Sequence, residues 1–266
     1  MAVMSLLVTL LLPSLGRARE ASHRTASASN IRQQGIGTQL FAYDRQGHLP
    51  TSLFQSRENR GIDAPEQMVF LRVNRDAAEG ATGRATPKTP GEATSANPYV
   101  WDGLGKLIER EYITHGQVFY NPSHDDIHTY ERYQAAFTGA DGEIVSNYQY
   151  RWDRKTPVID RLRPQTTLIA DAMRSQPEYN HRVGNNMLKG DLSISWFQDV
   201  DGSLYNSLAE RAPQVQEAGF SPMSEASREG VINGWKLLDD ATERGVTLNA
   251  SETNDPLGAL LNPDFK

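Results

Sequence analysis

Residues 1–50 read MAVMSLLVTLLLPSLGRAREASHRTASASNIRQQGIGTQLFAYDRQGHLP, and this stretch decides the fold. Met1 to Leu12 is an apolar run without a charged side chain, and it meets Pro13. Ser14 to Tyr43 is polar but helical in character. Ala18, Ala21, Thr25 and Ala28, then Ile36, Leu40 and Tyr43, recur mostly at spacings of three and four. That spacing predicts a weakly apolar stripe along one helix face, with Arg17, Arg19, Glu20 and Arg24 mostly off it. Gly35 and Gly37 each cost about 1 kcal/mol against Ala in a helix interior and predict a bend there. Asp44 to Pro50 is a cluster of breakers, and Gly47 followed by Pro50 is a helix stop. An apolar start running as one long helix into a polar body is the plan of a tethered subunit.

The apolar run is shorter than the roughly 20 residues a spanning helix needs. It lacks the basic n-region and small-residue cleavage site of a secretory signal. The remaining reading is a spanning segment whose first part lies upstream. Arg17, Arg19 and Arg24 after the run would hold the body in the cytoplasm on the positive-inside rule, and a basic leader upstream would reverse that.

The rest of the chain sets the class. With 266 residues there is room for one large domain or two small ones. Hydrophobic residues make up 38 % and mean hydropathy is −0.57, so the body is water-soluble with a modest core. A net charge of −6 argues against a general nucleic-acid binder, which needs a basic stripe. The absence of cysteine excludes disulfides, thiolate metal sites and cysteine nucleophiles.

Met68 to Val73 and Thr166 to Ala170 read as buried strands, and Val118 to Tyr120 as a short one. Leu104, Leu107 and Ile108 suit a short helix ending near Tyr112. Asp141-Gly142 reads as a hairpin turn ahead of Ile144 to Trp152. Lys189-Gly190-Asp191 reads as a second hairpin turn, between Met187-Leu188 and Leu192 to Phe197. Asp199 to Gly202 is a further turn with a short strand expected after it. Arg75 to Pro98, rich in Ala, Thr, Gly and Pro, predicts a surface loop. Arg211 to Pro222 is loop-like. Ser224 to Arg244 predicts a helix with Val231, Trp235 and Leu238 on one face and capping oxygens from Ser224 and Ser227. Asn249 to Lys266 predicts a loose tail. The expected architecture is α+β: a long N-terminal helix (1–46), an antiparallel β-rich head (47–210) with a flexible loop near 75–98, and a C-terminal helix and tail (211–266).

Several segments resemble one family in order and spacing. Leu10-Leu11-Leu12-Pro13-Ser14-Leu15-Gly16-Arg17 resembles the N-terminal helix of prepilin-like proteins. The chain is similar to the planctomycete-type group of type II secretion pseudopilins, marked by an H-x9-D-G motif. Asn30-Ile31-Arg32-Gln33 and Tyr43-Asp44-Arg45-Gln46-Gly47-His48-Leu49-Pro50 are similar to its "SNLRQ" and "YANDNxGxLP". Gly105 to Ile108 with Tyr112-Ile113, Val118 to Ser123, Ser146 to Arg151 and Leu168 to Asp171 are similar to further family segments. His181, Gly184, Asn186, Leu188, Gly190 and Asp191, then Trp196 and Phe197, sit where the family has "HxxGxNVLYGDGxVxWF". The likeness spans roughly Leu7 to Asp201. Asn121 stands where the family has Cys, and Leu192 where it has Gly.

The resemblance implies a pilin-like fold and a methylated, processed N-terminus whose Gly-Phe site and early acidic residue lie upstream of Met1. It implies single-pass insertion in the cytoplasmic membrane through Leu6, Leu7, Leu10, Leu11, Leu12 and Pro13, with the body in the periplasm or outside the cell. The implied role is a non-catalytic filament subunit whose partners are other pilin-like subunits and the secretion or pilus assembly machinery. The contrasting reading is an anchored extracytoplasmic module that binds a ligand or envelope polysaccharide. Its surface would comprise His181 and an aromatic face of Tyr148, Tyr150 and Trp152, with Trp196 exposed. An aromatic strand face serves a core as readily.

Other candidate chemistry carries its own structural counterpart. His124 and His128 have metal-ligand spacing on a helix, yet follow an Asn121-Pro122-Ser123 lead-in that suits a loop. Asp199 and Asp201 resemble the front of a calcium loop but lack its distal Glu; calcium is the one cofactor considered. His181 with Asp191 is the sharpest polar pair: an acid/base or ligand pair, or a loop cap and a turn-fixing carboxylate. Asp171 ends a buried strand, where it would be a catalytic carboxylate (with His181 and Asp191, a hydrolase) or an acceptor for backbone N–H groups. No phosphate loop, G-x-S-x-G or H-E-x-x-H occurs.

Overall fold

The computed structural model describes residues 2–54, 64–76, 78, 98–125, 127–153, 155, 157–210 and 225–243, with side chains from Leu15 in the first helix and to Ala241 in the last. The expected membrane side chains Leu6 to Pro13, most of the loop at 75–98, the segment Arg211 to Pro222 and the tail Asn249 to Lys266 lie outside the described residues.

Helix α1 (Ala2–Asp44) runs as one element of 43 residues, about 65 Å at 1.5 Å per residue. Gly35 and Gly37 do not interrupt it. They sit where the head comes closest: a Cβ on Gly35 would lie 2.9 Å from the Leu188 side chain, and one on Gly37 3.1 Å from Ile113. Their use is close approach. The chain turns out of α1 through Gln46 and Gly47, both at positive φ.

The apolar stripe predicted on α1 is on the wrong face. Ile36, Leu40 and Tyr43 are exposed, as is Leu15. The buried face is Ser27, Ile31, Gln34, Thr38 and Phe41, extended toward the N-terminus by the half-buried Glu20 and Arg24. These positions recur at alternating spacings of four and three, the geometric signature of a seam, but most are polar.

Strands β1 (Phe70–Asn74), β2 (Tyr99–Trp101) and β3 (Ile144–Val145) form one antiparallel sheet in the order β2-β1-β3. Between β2 and β3 come helix α2 (Lys106–Glu109) and helix α3 (Tyr130–Phe137). Strands β4 (Tyr148–Tyr150), β5 (Thr167–Asp171), β6 (Gly184–Lys189) and β7 (Ile194–Gln198) form a second, a meander with every pair antiparallel. Helix α4 (Ser203–Ser207) and helix α5 (Glu225–Glu243) close the described chain.

The second sheet is the middle of three layers. Alternate residues of a strand face opposite sides. Ile169, Asp171, Leu188, Asn186 and Trp196 meet α1, whereas Ala170, Met187 and Phe197 join the core built on Val231, Trp235 and Leu238 of α5. On the α1 side, Ile31 and Phe41 are 0 % and 5 % exposed, and burying such side chains contributes about 1.5–3 kcal/mol each. The architecture is α+β, with a long N-terminal helix, antiparallel sheets and a C-terminal helix.

Three local expectations are corrected. Val118 and Phe119 belong to a 3-10 turn (Gly116–Phe119), not a strand. The carbonyls of Val118 and Tyr120 accept hydrogen bonds from Gln34 and Asn30 of α1 instead of a neighbouring strand. Asp141-Gly142 is a bend between α3 and β3, so no hairpin forms there. The segment after Gly202 is α4, because Asp199 accepts the Leu204 and Tyr205 N–H groups at 3.0 and 2.8 Å and so organises a helical start. Among the described residues no helix is long and apolar enough to cross a membrane.

Candidate functional site: the seam between helix and head

Asp171 is the centre of a buried polar cluster. It ends β5 on the face toward α1 and is 1 % exposed. Its Oδ1 accepts from Ser27 Oγ at 2.6 Å and from Asn121 Nδ2 at 2.8 Å. Its Oδ2 accepts from the Asn186 backbone N–H at 2.7 Å and lies 3.7 Å from His181 Nε2. Asn185 closes the strand beneath it, giving and receiving a bond with the Asp171 backbone at 3.1 Å each. Tyr148 OH, 3.2 Å from Ser27 Oγ, also accepts from Asn30. Burial, reinforced by the Asp171 charge, pushes the Tyr148 phenol far above its ordinary range, so it stays a neutral hydrogen-bonding group.

His181 extends the cluster to the N-terminal part of the seam. Its ring is fully buried and meets the edge of Trp196. Nδ1 lies 2.7 Å from Glu20 Oε1 of α1 and 3.3 Å from Ser123 Oγ. On Glu20, burial works to raise the carboxyl, but the hydrogen bond and charge of His181 outweigh it, and the net position is lowered. One turn along α1, the Arg24 guanidinium stacks 4.1 Å over the Trp196 ring, and Asn186 Nδ2 donates to the Arg24 carbonyl at 3.2 Å. Further along, Gln34 Nε2 donates to the Val118 carbonyl at 2.9 Å. One face of α1 is thus held by side-chain hydrogen bonds from Glu20 to Gln34, then by apolar packing to Phe41.

The family-like motif residues acquire physical roles. A Cβ on Gly184 would lie 2.2 Å from the Phe197 carbonyl oxygen and 2.3 Å from the Trp196 ring, so only glycine fits. Its absence of a side chain lets Trp196 lie flat beneath Arg24. Asn186 contributes both its N–H to Asp171 and its amide to α1. Gly190, Asp191 and Leu192 form a three-residue hairpin loop. Lys189 exchanges backbone bonds with Leu192 and Ser193, and Asp191 Oδ1 accepts the Ser193 N–H at 2.9 Å. Leu192 takes φ +64°, the left-handed position at which such loops favour glycine.

The expected pairing of His181 with Asp191 is not made. They lie at opposite ends of β6, His181 lining a cleft of about 640 Å³ and Asp191 a different one of about 450 Å³. His181 meets Glu20 and Asp171 instead, and Asp191 acts in its turn, so Asp171, His181 and Asp191 share no pocket. Ser123 Oγ near His181 is not set up as a nucleophile, because Glu20 sits closer to the same nitrogen. The aromatic platform is core: Tyr148, Tyr150 and Trp196 are at most 1 % exposed and Trp152 7 %.

His124 and His128 stack with ring centroids 6.5 Å apart and turn to different partners, Asn180 and Tyr133. Burial first, and the nearby Arg174 charge second, push His128 down to about 2. Glu178 lies 3.7 Å from His128 Nε2, but Arg174 grips that carboxylate through two nitrogens. Both oxygens of Asp199 serve the start of α4, and Asp201 accepts the Ser203 N–H. Among the described residues no three His, Asp or Glu side chains converge on a metal position.

Sequence reasoning missed Glu20, Ser27 and Arg24 as seam residues, and Asn121 as the donor that joins Ser27, Asp171 and His181. The signal was their spacing on α1. No protein-family model, curated protein or solved structure matches the chain.

Proposed function

We propose that the protein is a structural, pseudopilin-like subunit. It is tethered through the N-terminal part of α1 and displays its head outside the cytoplasmic membrane. The observation that carries this reading is the division of α1 into two faces. One face is fixed to the head from Glu20 to Phe41. The other leaves Ile36, Leu40 and Tyr43 exposed at 52, 48 and 86 %, at helical spacing and with no cover from the described head. A rigid handle with an outward apolar stripe is suited to packing beside other helices. At about 25 cal/mol per Å², a stripe of this kind supplies several kcal/mol per contact between subunits.

The absence of cysteine makes a direct test available. Ile36→Cys or Leu40→Cys, introduced singly and produced in the native host, gives one thiol on the stripe. Oxidative or bismaleimide crosslinking of the envelope should yield dimers of the chain or adducts with another small helical subunit. Lys236→Cys, exposed on α5 across the second sheet from α1, should not. Crosslinks absent from both stripe variants, or a head found wholly in the cytoplasm and inaccessible to external protease, would remove the proposal.

A further inference from the structure

A further cleft, of about 360 Å³, lies away from the seam and is lined by Arg151, Lys155, Arg161 and Arg163. This is unusual in a chain of net charge −6. Two carboxylates, Asp153 and Asp239, line the same cleft. Asp239 is engaged: its Oδ2 accepts from Arg151 at 2.6 Å and its Oδ1 from the Thr167 N–H at 2.8 Å. Arg151 is fixed by that pair and by stacking over Trp235 at 5.6 Å. Asp153 accepts the Lys155 backbone N–H. The side chains of Lys155, Arg161 and Arg163 are exposed and have no hydrogen-bond or ion-pair partner among the described residues. Four cations facing two carboxylates leave two positive charges in one concavity.

We propose that this cleft is a binding site for a dianionic oxyacid of the phosphate-monoester class. A phosphomonoester carries about −1.5 to −2 at pH 7, which matches the excess. Guanidinium groups present paired N–H donors to such an oxyanion, and the strength of these contacts comes from charge on both sides. Arg151, held by Asp239, forms a preorganised wall; Arg161 and Arg163 supply the mobile donors. The partly exposed Leu162, with Leu49 and Leu168 buried behind it, gives an apolar seat for the group that bears the phosphate. The cleft adjoins the exit of α1, where Leu49 N–H donates to the Pro157 carbonyl. Glu20 lies some 24 residues back along the helix, about 36 Å. The site is therefore remote from the His181 cluster and does not depend on how α1 is used.

The test is calorimetric titration of the full chain at fixed ionic strength with inorganic phosphate, glucose 6-phosphate and the singly charged dimethyl phosphate. Saturable binding of the two monoester-type ions is expected. It should fall at least about tenfold in Arg161→Gln/Arg163→Gln and stay unchanged in Lys236→Gln on the outer face of α5. Dimethyl phosphate should bind at least about tenfold more weakly than the dianions. Cosedimentation with vesicles containing phosphatidic acid separates the sources. Vesicle binding that the double variant loses assigns the monoester to a lipid headgroup, while sugar phosphate binding without vesicle binding assigns it to a soluble source. Either supports the site. No saturable heat, binding that the double variant retains, or equal binding of dimethyl phosphate overturns it. The arginines are exposed, so an unchanged urea midpoint verifies that the variants fold.

Discussion

Asp171→Asn tests whether the seam is held by a buried carboxylate. Every partner of Asp171 other than His181 is a donor: Ser27 Oγ, Asn121 Nδ2 and the Asn186 N–H. An amide in its place must turn its NH2 toward at least one of them. If the NH2 takes the Oδ2 position, the Asn186 N–H is left buried without an acceptor. If it takes the Oδ1 position, Ser27 and Asn121 both lose theirs. A buried unsatisfied group costs about 1–3 kcal/mol, and a hydrogen bond to a charged group contributes about 1.5–3. One orphaned group together with the loss of the charge-assisted bonds gives about 3–5 kcal/mol.

The assay is urea unfolding of the full chain followed by tryptophan fluorescence, since Trp196 touches both His181 and Arg24 of the same cluster. A loss of this size moves the midpoint by roughly 1–2 M for a slope near 3 kcal/mol per M. A double-mutant cycle with Ser27→Ala should show coupling of about 1–2 kcal/mol, because the two side chains share one bond. Limited proteolysis adds a local readout: α1 should be cut between Glu20 and Ile31 at a denaturant concentration where the wild-type chain resists. A destabilisation under about 1 kcal/mol, or additivity of the two substitutions, would refute the claim that Asp171 anchors the helix.

Three further outcomes are expected. His128 is buried and pushed down to about 2, against 6.5 when unfolded, so the unfolded chain binds the extra proton below pH 6.5. Stability from this residue is full above pH 6.5 and falls as the solution is acidified, by about 2 kcal/mol at pH 5. Urea midpoints at pH 7 and 5 should show it, and His128→Phe should lose that part of the slope. At Leu192, φ +64° favours glycine, so Leu192→Gly should be more stable than Leu192→Ala by about 1 kcal/mol in thermal unfolding. Gly184→Ala should cost about 3 kcal/mol or more, because its methyl meets the Phe197 backbone and the Trp196 ring, and near-UV circular dichroism should lose the Trp196 signal.

The apolar runs of β1, β5 and the β6–β7 hairpin were legible, because β1 is buried from Phe70 to Val73 and both faces of the second sheet are covered. Segments whose backbone is claimed by side chains were not. Nothing local in Val118-Phe119 announces that Gln34, far along the chain, takes its carbonyl. Nothing local after Gly202 outweighs the strand-like look of Leu204-Tyr205 except Asp199, whose capping reach is a tertiary fact. Helix α3 was missed because its buried face is only Tyr133 and Ala136. His181 was recognised as important and given the wrong partner: Asp171 and Asp191 each lie ten residues from it in sequence, and only Asp171 lies beside it in space.

The inversion on α1 is the deeper lesson, and it bears on function. A search for apolar periodicity assumes that the buried face of a helix is the greasy one. Here Glu20, Arg24, Ser27, Ile31, Gln34, Thr38 and Phe41 keep a strict alternation of four and three, and the fold buries that face although most of it is polar. Polar burial of this kind gives little net stability for each bond made, but it penalises every misregistered one. A one-turn slip of α1 would take Ser27 from Asp171, Glu20 from His181 and Gln34 from the Val118 carbonyl at once. The seam therefore fixes the axial position of the helix against the head, and the apolar residues left over are free to face outward. For a subunit that must present its helix to neighbours at a set height, register on the inner face is what makes contact on the outer face reproducible. If instead the outer stripe served no partner, nothing in the seam would require Ile36, Leu40 and Tyr43 to be apolar. Replacing Leu40 and Tyr43 by Gln in the Ile36→Cys variant should then leave both the unfolding midpoint and the envelope crosslinks unchanged. On the present reading the midpoint holds within about 1 kcal/mol and the crosslinks disappear.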